Sequence, residues 1–134
     1  MALSPRTINP IDLKPQIAVG INIPFSEPSA ITANYTTKDA AKNNIINYVL
    51  TNANERMFRP GFGANLRSKI FDLTLTDNDL EGLGENLKRG IEANVEGVNV
   101  TDISFAPSPD EPNDVNFYIK YKVLNSEDVI VITI

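Results

Sequence analysis

The chain has 134 residues with 17 acidic and 12 basic side chains, a formal charge of −5, and no histidine, cysteine or tryptophan. Lack of His and Cys excludes Ser-His-Asp and Cys-His nucleophiles, Cys/His zinc sites and a disulfide-stapled fold. The acidic balance and scattered basic residues argue against a polyanion binder, and no window reaches the ~20 apolar residues of a membrane span. The stretch MALSPRTINP lacks the apolar segment of a signal peptide, so synthesis in the cytoplasm is expected, with no membrane or nucleic-acid partner.

Residues 1–16 hold Pro5, Pro10 and Pro15 without a hydrophobic period and read as an extended arm, disordered or laid along a partner. Residues 17–134 read as one domain, a length that needs no staple. Ile17, Val19, Ile21, Ile23 and Phe25 alternate with small or polar residues, the pattern of a strand with one buried face that ends at Pro24. Thr36 with Asp39 predicts a capped helix start. The apolar stripe Ala41, Ile45, Tyr48, Val49 and Ala53 carries that helix to about Ala53, with Asn54 as its left-handed stop.

The Arg59-Pro60-Gly61-Phe62-Gly63 segment is a turn in which Pro60 fixes φ and Gly61 and Gly63 permit positive φ. A short helical turn around Leu66, Ile70 and Phe71 follows. A second long helix starts at Thr76–Asp77, places Leu80, Leu83, Leu87 and Ile91 on one face, and ends near Asn94. Gly84 lies on that apolar side, which fits either a closely packed backbone or simply a weaker helix.

Three strands close the chain. Val98 and Val100 shift phase to Ile103 and Phe105, predicting a bulge near Thr101–Asp102. After a proline-rich acidic loop, Val115, Phe117, Ile119, Tyr121 and Val123 alternate with Asn116, Tyr118, Lys120 and Lys122. A turn at residues 124–128 leads into Val129–Ile134, apolar on both sides. That last strand is either central and covered twice, or covered on its outer face or edge by another chain. The expected fold is α+β: a four-stranded antiparallel sheet with two long helices and one short helix on one face.

Residues 54–72 are the most basic window, with Arg56, Arg59, Arg67 and Lys69 among Met57, Phe58 and Phe62. A nucleic-acid grip is opposed by Glu55, Asp72 and the acidic whole. A carboxylate hydrolase needs a general acid of raised pKa, and Glu55 beside Arg56 is pushed the other way. Glu81 and Glu85, four apart on a helix, read as a solvated face, and Asp110, Glu111 and Asp114 lack EF-hand spacing. No cofactor or metal is expected. A rigid corner remains, pinned to the core by Phe58, Phe62, Leu66, Ile70 and Phe71, with its arginines outward or on buried carbonyls.

This stretch resembles the signature of the contractile-tail baseplate wedge family, whose members initiate the phage tail sheath or serve as the type VI secretion wedge subunit. The residues concerned are Ala53, Glu55, Arg56, Met57–Phe58, Arg59–Pro60, Phe62–Gly63, Leu66 and Phe71, preceded by NNIINYVLTNAN. The sequence departs from the family at Glu96-Gly97-Val98, where members usually show Glu-Pro-Arg, a motif tied to docking on the wedge, and at Asn54 in place of Gly. The family's lysozyme-like label is not adopted, for the pKa reason above.

The resemblance implies a structural protein of the virion tail baseplate, assembled in the host cytoplasm in multiple copies. Its expected partners are the tail sheath protein and the wedge proteins, with the tube or hub as further contacts. Sheath strands would add to an edge formed or bordered by Val129, Ile130, Val131, Ile132, Thr133 and Ile134, while Arg56, Arg59, Phe62 and Glu96 face the wedge. A type VI wedge subunit and a peptidoglycan hydrolase are the alternatives.

Overall fold

The computed structural model describes residues 10–14, 16–22, 33–70 and 77–134. Thr36 caps helix α1 (Thr37–Leu50): its hydroxyl accepts the Asp39 N–H at 3.2 Å and donates to the Asp39 carboxylate at 2.7 Å. A second carboxylate comes from the arm. Pro10–Leu13 form one 3-10 turn, and Asp12 accepts the Thr37 N–H at 2.8 Å and the Thr37 hydroxyl at 2.7 Å. The Asp12 carboxylate and the Thr36 hydroxyl thus satisfy two amides that have no partner inside the helix, and both carboxylates lie at its positive end. The arm is therefore folded rather than extended at residues 10–13, and residues 1–9 lie outside the described residues.

Helix α1 buries Ala40, Ala41, Ile45, Tyr48 and Val49. It ends at Leu50, three residues before the expected Ala53, because Thr51 turns extended (φ −85°, ψ 131°). The Thr51 amide and hydroxyl both donate to the Asn47 carbonyl, at 3.1 and 2.5 Å. Asn54 does adopt a left-handed φ of 67°, but in the following turn and not as the helix stop.

Helix α2 (Leu66–Ile70) contributes the fully buried Leu66, and helix α3 (Asp77–Asn94) contributes Leu83, Leu87 and Ile91. The predicted start at Thr76 lies outside the described residues. Of the α3 glycines Gly90 is the most tightly packed: an added Cβ would collide with the Tyr48 hydroxyl and sit 2.9 Å from its Cζ. A Cβ at Gly84 would meet only the Phe105 ring, at 3.6 Å, an ordinary contact. The neighbour is a side chain in both places, so of the two alternatives at Gly84 the closely packed backbone is not the one found.

Strands β3 (Val98–Pro107), β4 (Val115–Val123) and β5 (Ser126–Thr133) form an antiparallel sheet in the order β3-β4-β5. Register shifts between Val100↔Tyr121 and Asp102↔Lys120, so Thr101 is the bulge. Leu124 and Asn125 link β4 to β5 with φ of 50° and 62°, the type I′ geometry that matches strand twist. Leu124 packs against the core and anchors this turn. Inward residues Val98, Val100, Phe117, Ile119, Tyr121, Val123, Ile130 and Ile132 meet the helices in one cluster. Each large buried side chain contributes about 1.5–3 kcal/mol.

The expected four-stranded sheet is corrected to two sheets. Strands β1 (Gly20–Ile21) and β2 (Ala33–Asn34) pair separately, Gly20 with Asn34 and Ile21 with Ala33. Ile17 and Ile21 are 43% and 53% exposed, so the alternation seen in the sequence does not mark a buried face. Gly20 instead seats this ribbon on α1, where an added Cβ would be 3.2 Å from Ala40 Cβ. Ile23, Pro24 and Phe25 lie outside the described residues.

Candidate partner-binding surfaces

Strand β5 is a sheet edge, which overturns the reading that its apolar character on both sides marks a central strand. Ile130 and Ile132 point into the core, whereas Val129 and Val131 are 45% and 54% exposed. Val115 and Ile134 exchange both backbone hydrogen bonds, at 2.8 and 3.0 Å. Such pairs alternate along an antiparallel ladder. Given the unbroken register, Ile132, Ile130, Asp128 and Ser126 bond to β4, and the amides and carbonyls of Glu127, Val129, Val131 and Thr133 face away from the sheet.

Asp128 modifies this edge. Its Oδ1 accepts the Val129 N–H at 2.8 Å, and its other oxygen takes a longer bond of 3.4 Å from the Tyr121 hydroxyl. Burial, and secondarily the Asp128 charge and this bond, hold the Tyr121 hydroxyl far above the ordinary tyrosine range.

The opposite edge is blunted. Strand β3 carries the Thr101 bulge, ends at Pro107 with no N–H to donate, and loses its Val100 N–H to the Glu92 carboxylate of α3 at 3.0 Å. These are devices that discourage strand addition. Among the described residues the sheet thus has one obstructed edge and one that is open beyond Val129.

The Arg-Pro corner folds back on the end of α1. Ala64 N–H donates to the Tyr48 carbonyl at 3.1 Å and Asn65 N–H to the Thr51 carbonyl at 3.4 Å. Gly63 makes this possible. Its φ is 122°, and a Cβ there would lie 2.6 Å from the Thr51 carbonyl oxygen. Gly61 has no positive φ and open space around it, so only Gly63 needs to be glycine.

Phe62 is buried edge-on against Tyr48, with ring centroids 5.3 Å apart, and Leu66 is fully buried. The Arg56 and Arg59 guanidinium carbons lie 3.9 and 5.5 Å from the Phe62 ring centroid, within cation–π reach. The expected role of Phe58 in the core is wrong: Phe58 is 96% and Met57 91% exposed. Ile70 is half-buried against the core, and Phe71 lies outside the described residues.

Arg56, Arg59 and Phe62 therefore lie together, and Glu96 lies apart from them. Glu96 is exposed in the turn into β3, where Gly97 takes φ 73° and Val98 pairs with Val123 near the hairpin tip. The corner lies toward the other end of the sheet, where Asn52 and Glu55 share a cleft of about 370 Å³ with Thr133 and Ile134. The position of the family's missing arginine is Val98, a core residue.

The remaining carboxylates are dispersed. Glu85 lies on a solvated face of α3, as its spacing from Glu81 suggested, and is 3.9 Å from Arg89. Glu55 accepts the Asn52 N–H at 2.9 Å and Asn52 Nδ2 at 2.8 Å, which lowers its pKa from the ordinary value. Among the described residues no three His, Cys, Asp or Glu gather as a metal site.

The sequence readily suggests the arginines and the last strand. It does not suggest Glu92 or Asp128 as edge caps, because both act through backbone amides that only the register identifies.

No family model and no curated protein matches the chain. Solved structures share its fold, among them the following two. A Geobacter sulfurreducens protein given the name tail lysozyme aligns with TM-score 0.65 at 17% identity, over 74% of this chain and 90% of that one. A chain of the anti-feeding prophage baseplate, a sixfold-symmetrised cryo-EM structure, aligns with TM-score 0.60 at 19% identity, over 76% of this chain and 79% of that one.

Proposed function

We propose that this chain is a structural protein of a contractile-tail baseplate and that it starts the sheath by accepting a strand along β5. The fold likeness to a baseplate chain supports the setting. The asymmetry of the sheet carries the mechanism: β3 is obstructed by a bulge, Pro107 and the Glu92 cap, whereas Val131 and Thr133 offer outward backbone groups on the uncharged second half of β5, beyond Glu127 and Asp128.

Strand addition of four or five hydrogen bonds, each a net ~0.5–1.5 kcal/mol, is modest for one copy. A ring of copies multiplies it through avidity. Arg56 and Arg59, held on the buried Phe62 ring, form the wedge-facing contact, with Glu96 available as a separate one toward the other end of the sheet. The type VI wedge subunit is the same role in a different machine, and neighbouring genes distinguish the two.

In this reading the chain performs no bond-making chemistry. The name of the Geobacter neighbour suggests cell-wall cleavage, yet Glu55 here is stabilised as a carboxylate and lies apart from Glu96. A turbidity assay on cell walls checks this: no clearing is expected, and clearing lost in Glu55→Gln would overturn it.

The direct test is the double variant Val129→Lys, Val131→Lys, made at exposed positions so that the core is untouched. Charging Ile130 or Ile132 would unfold the protein instead, since both are buried. Folded double variant should enter baseplates and leave tubes bare of sheath. Normal sheaths would reject the assignment.

A further inference from the structure

The tip of the Arg-Pro corner is a closed turn. Its backbone is closed by Asn54 N–H to the Pro60 carbonyl at 2.9 Å and Phe62 N–H to the Arg59 carbonyl at 3.0 Å. On the preceding side, Glu55 N–H donates to the Asn52 carbonyl at 3.3 Å while the Glu55 carboxylate accepts from Asn52. Met57 and Phe58 stand on this closed turn almost wholly in solvent, and they are the most exposed of the described large apolar residues. Single exposed apolar residues are ordinary, but two adjacent ones on a fixed turn form a compact patch that water penalises.

The flanking charges specify the complement. Arg56 and Arg59 converge on one ring, and among the described residues neither has a carboxylate within ion-pair distance. Two guanidiniums without a carboxylate partner among the described residues stand beside an apolar tip, on a chain of net charge −5. An acidic partner would be repelled by the chain's net charge and drawn to this patch, which favours one orientation.

We infer that Met57 and Phe58 plug into an apolar pocket of a second protein in the assembly, and that Arg56 and Arg59 meet carboxylates on that pocket's rim. This rests on the baseplate reading and assigns to it a partner chemistry. The closed turn leaves little backbone to order on docking, so the patch is preorganised. A lipid surface is the weaker match, since anionic headgroups would face an acidic protein that presents only two apolar side chains.

The test places a photo-crosslinking benzoylphenylalanine at position 58 of the full chain and irradiates purified tail particles. Crosslinks should fall on one protein, at apolar residues neighboured by Asp or Glu. Phe58→Asp, whose thermal melt should match the parent because the side chain is exposed, should lower occupancy in particles about 30-fold or more, with Phe58→Leu retaining it. Normal occupancy of Phe58→Asp, or no crosslink from particles that contain the chain, overturns the plug and leaves the baseplate reading standing. Particles that lack the chain altogether remove both. Sedimentation with phosphatidylserine vesicles that depends on Phe58 would overturn the protein pocket in favour of a membrane.

Discussion

The Asp128 carboxylate holds the Val129 amide at 2.8 Å, and that amide is one of those facing out of the sheet. An incoming strand must displace this contact or pair only beyond it, along Val131 and Thr133. Asp128→Ala frees the amide. Fold stability should fall by about 1 kcal/mol, since the Tyr121 hydroxyl also loses its bond to Asp128, while self-association or sheath recruitment rises. Analytical ultracentrifugation and sheath-assembly assays check this, and unchanged association would show that the cap does not limit the edge.

Gly63 and Gly61 offer a contrast within one turn. Gly63→Ala would force a side chain into φ 122° and against the Thr51 carbonyl, costing about 1–3 kcal/mol. Gly61→Ala faces open space and should be nearly neutral. Urea unfolding of both variants tests the assignment, and equal effects would contradict it.

The Glu55 pKa is lowered, chiefly by the bond from the Asn52 backbone amide and then by the Asn52 side chain. Because the folded value is depressed, the contribution is present above the ordinary 4.5 and is lost as pH falls through the folded pKa. The Asn52 amide resonance should move across that acidic window, and Glu55→Gln should abolish the movement. An unshifted titration of Glu55 in the parent would contradict the geometry.

Tyr121 shows the opposite sign. Its pKa is raised, first by burial and then by Asp128, so its neutral form supports folding below about pH 10. Stability should decline as pH rises above that point, and Tyr121→Phe should lessen the decline. Tyr48, raised by burial alone, adds a smaller alkaline loss. Melts between pH 8 and 11 provide the comparison (a flat profile in the parent would refute the linkage).

Local chemistry was legible in the sequence where neighbours decide it. The Thr36–Asp39 cap, the alternation of Val115–Val123 and the Thr101 bulge follow from residues close in sequence, and each stands in the structure. Three readings failed because distant residues decide them. Ile17–Phe25 looked like a half-buried strand, yet its described part makes a two-residue pairing seated on α1. Phe58 looked like core until the Asn54–Pro60 closure lifted it away from the body. Strand β5 looked central because its valines and isoleucines are equally apolar, and only pairing order separates buried Ile130 from exposed Val131.

The most direct measurement is a cryo-EM reconstruction of the assembled tail with this polypeptide traced at the base of the sheath. The account predicts a fourth strand, from a sheath subunit, bonded along Val131 and Thr133 on the outer side of β5. A sheath strand on the β3 side, or a bare β5 in a particle with a fully attached sheath, would contradict it.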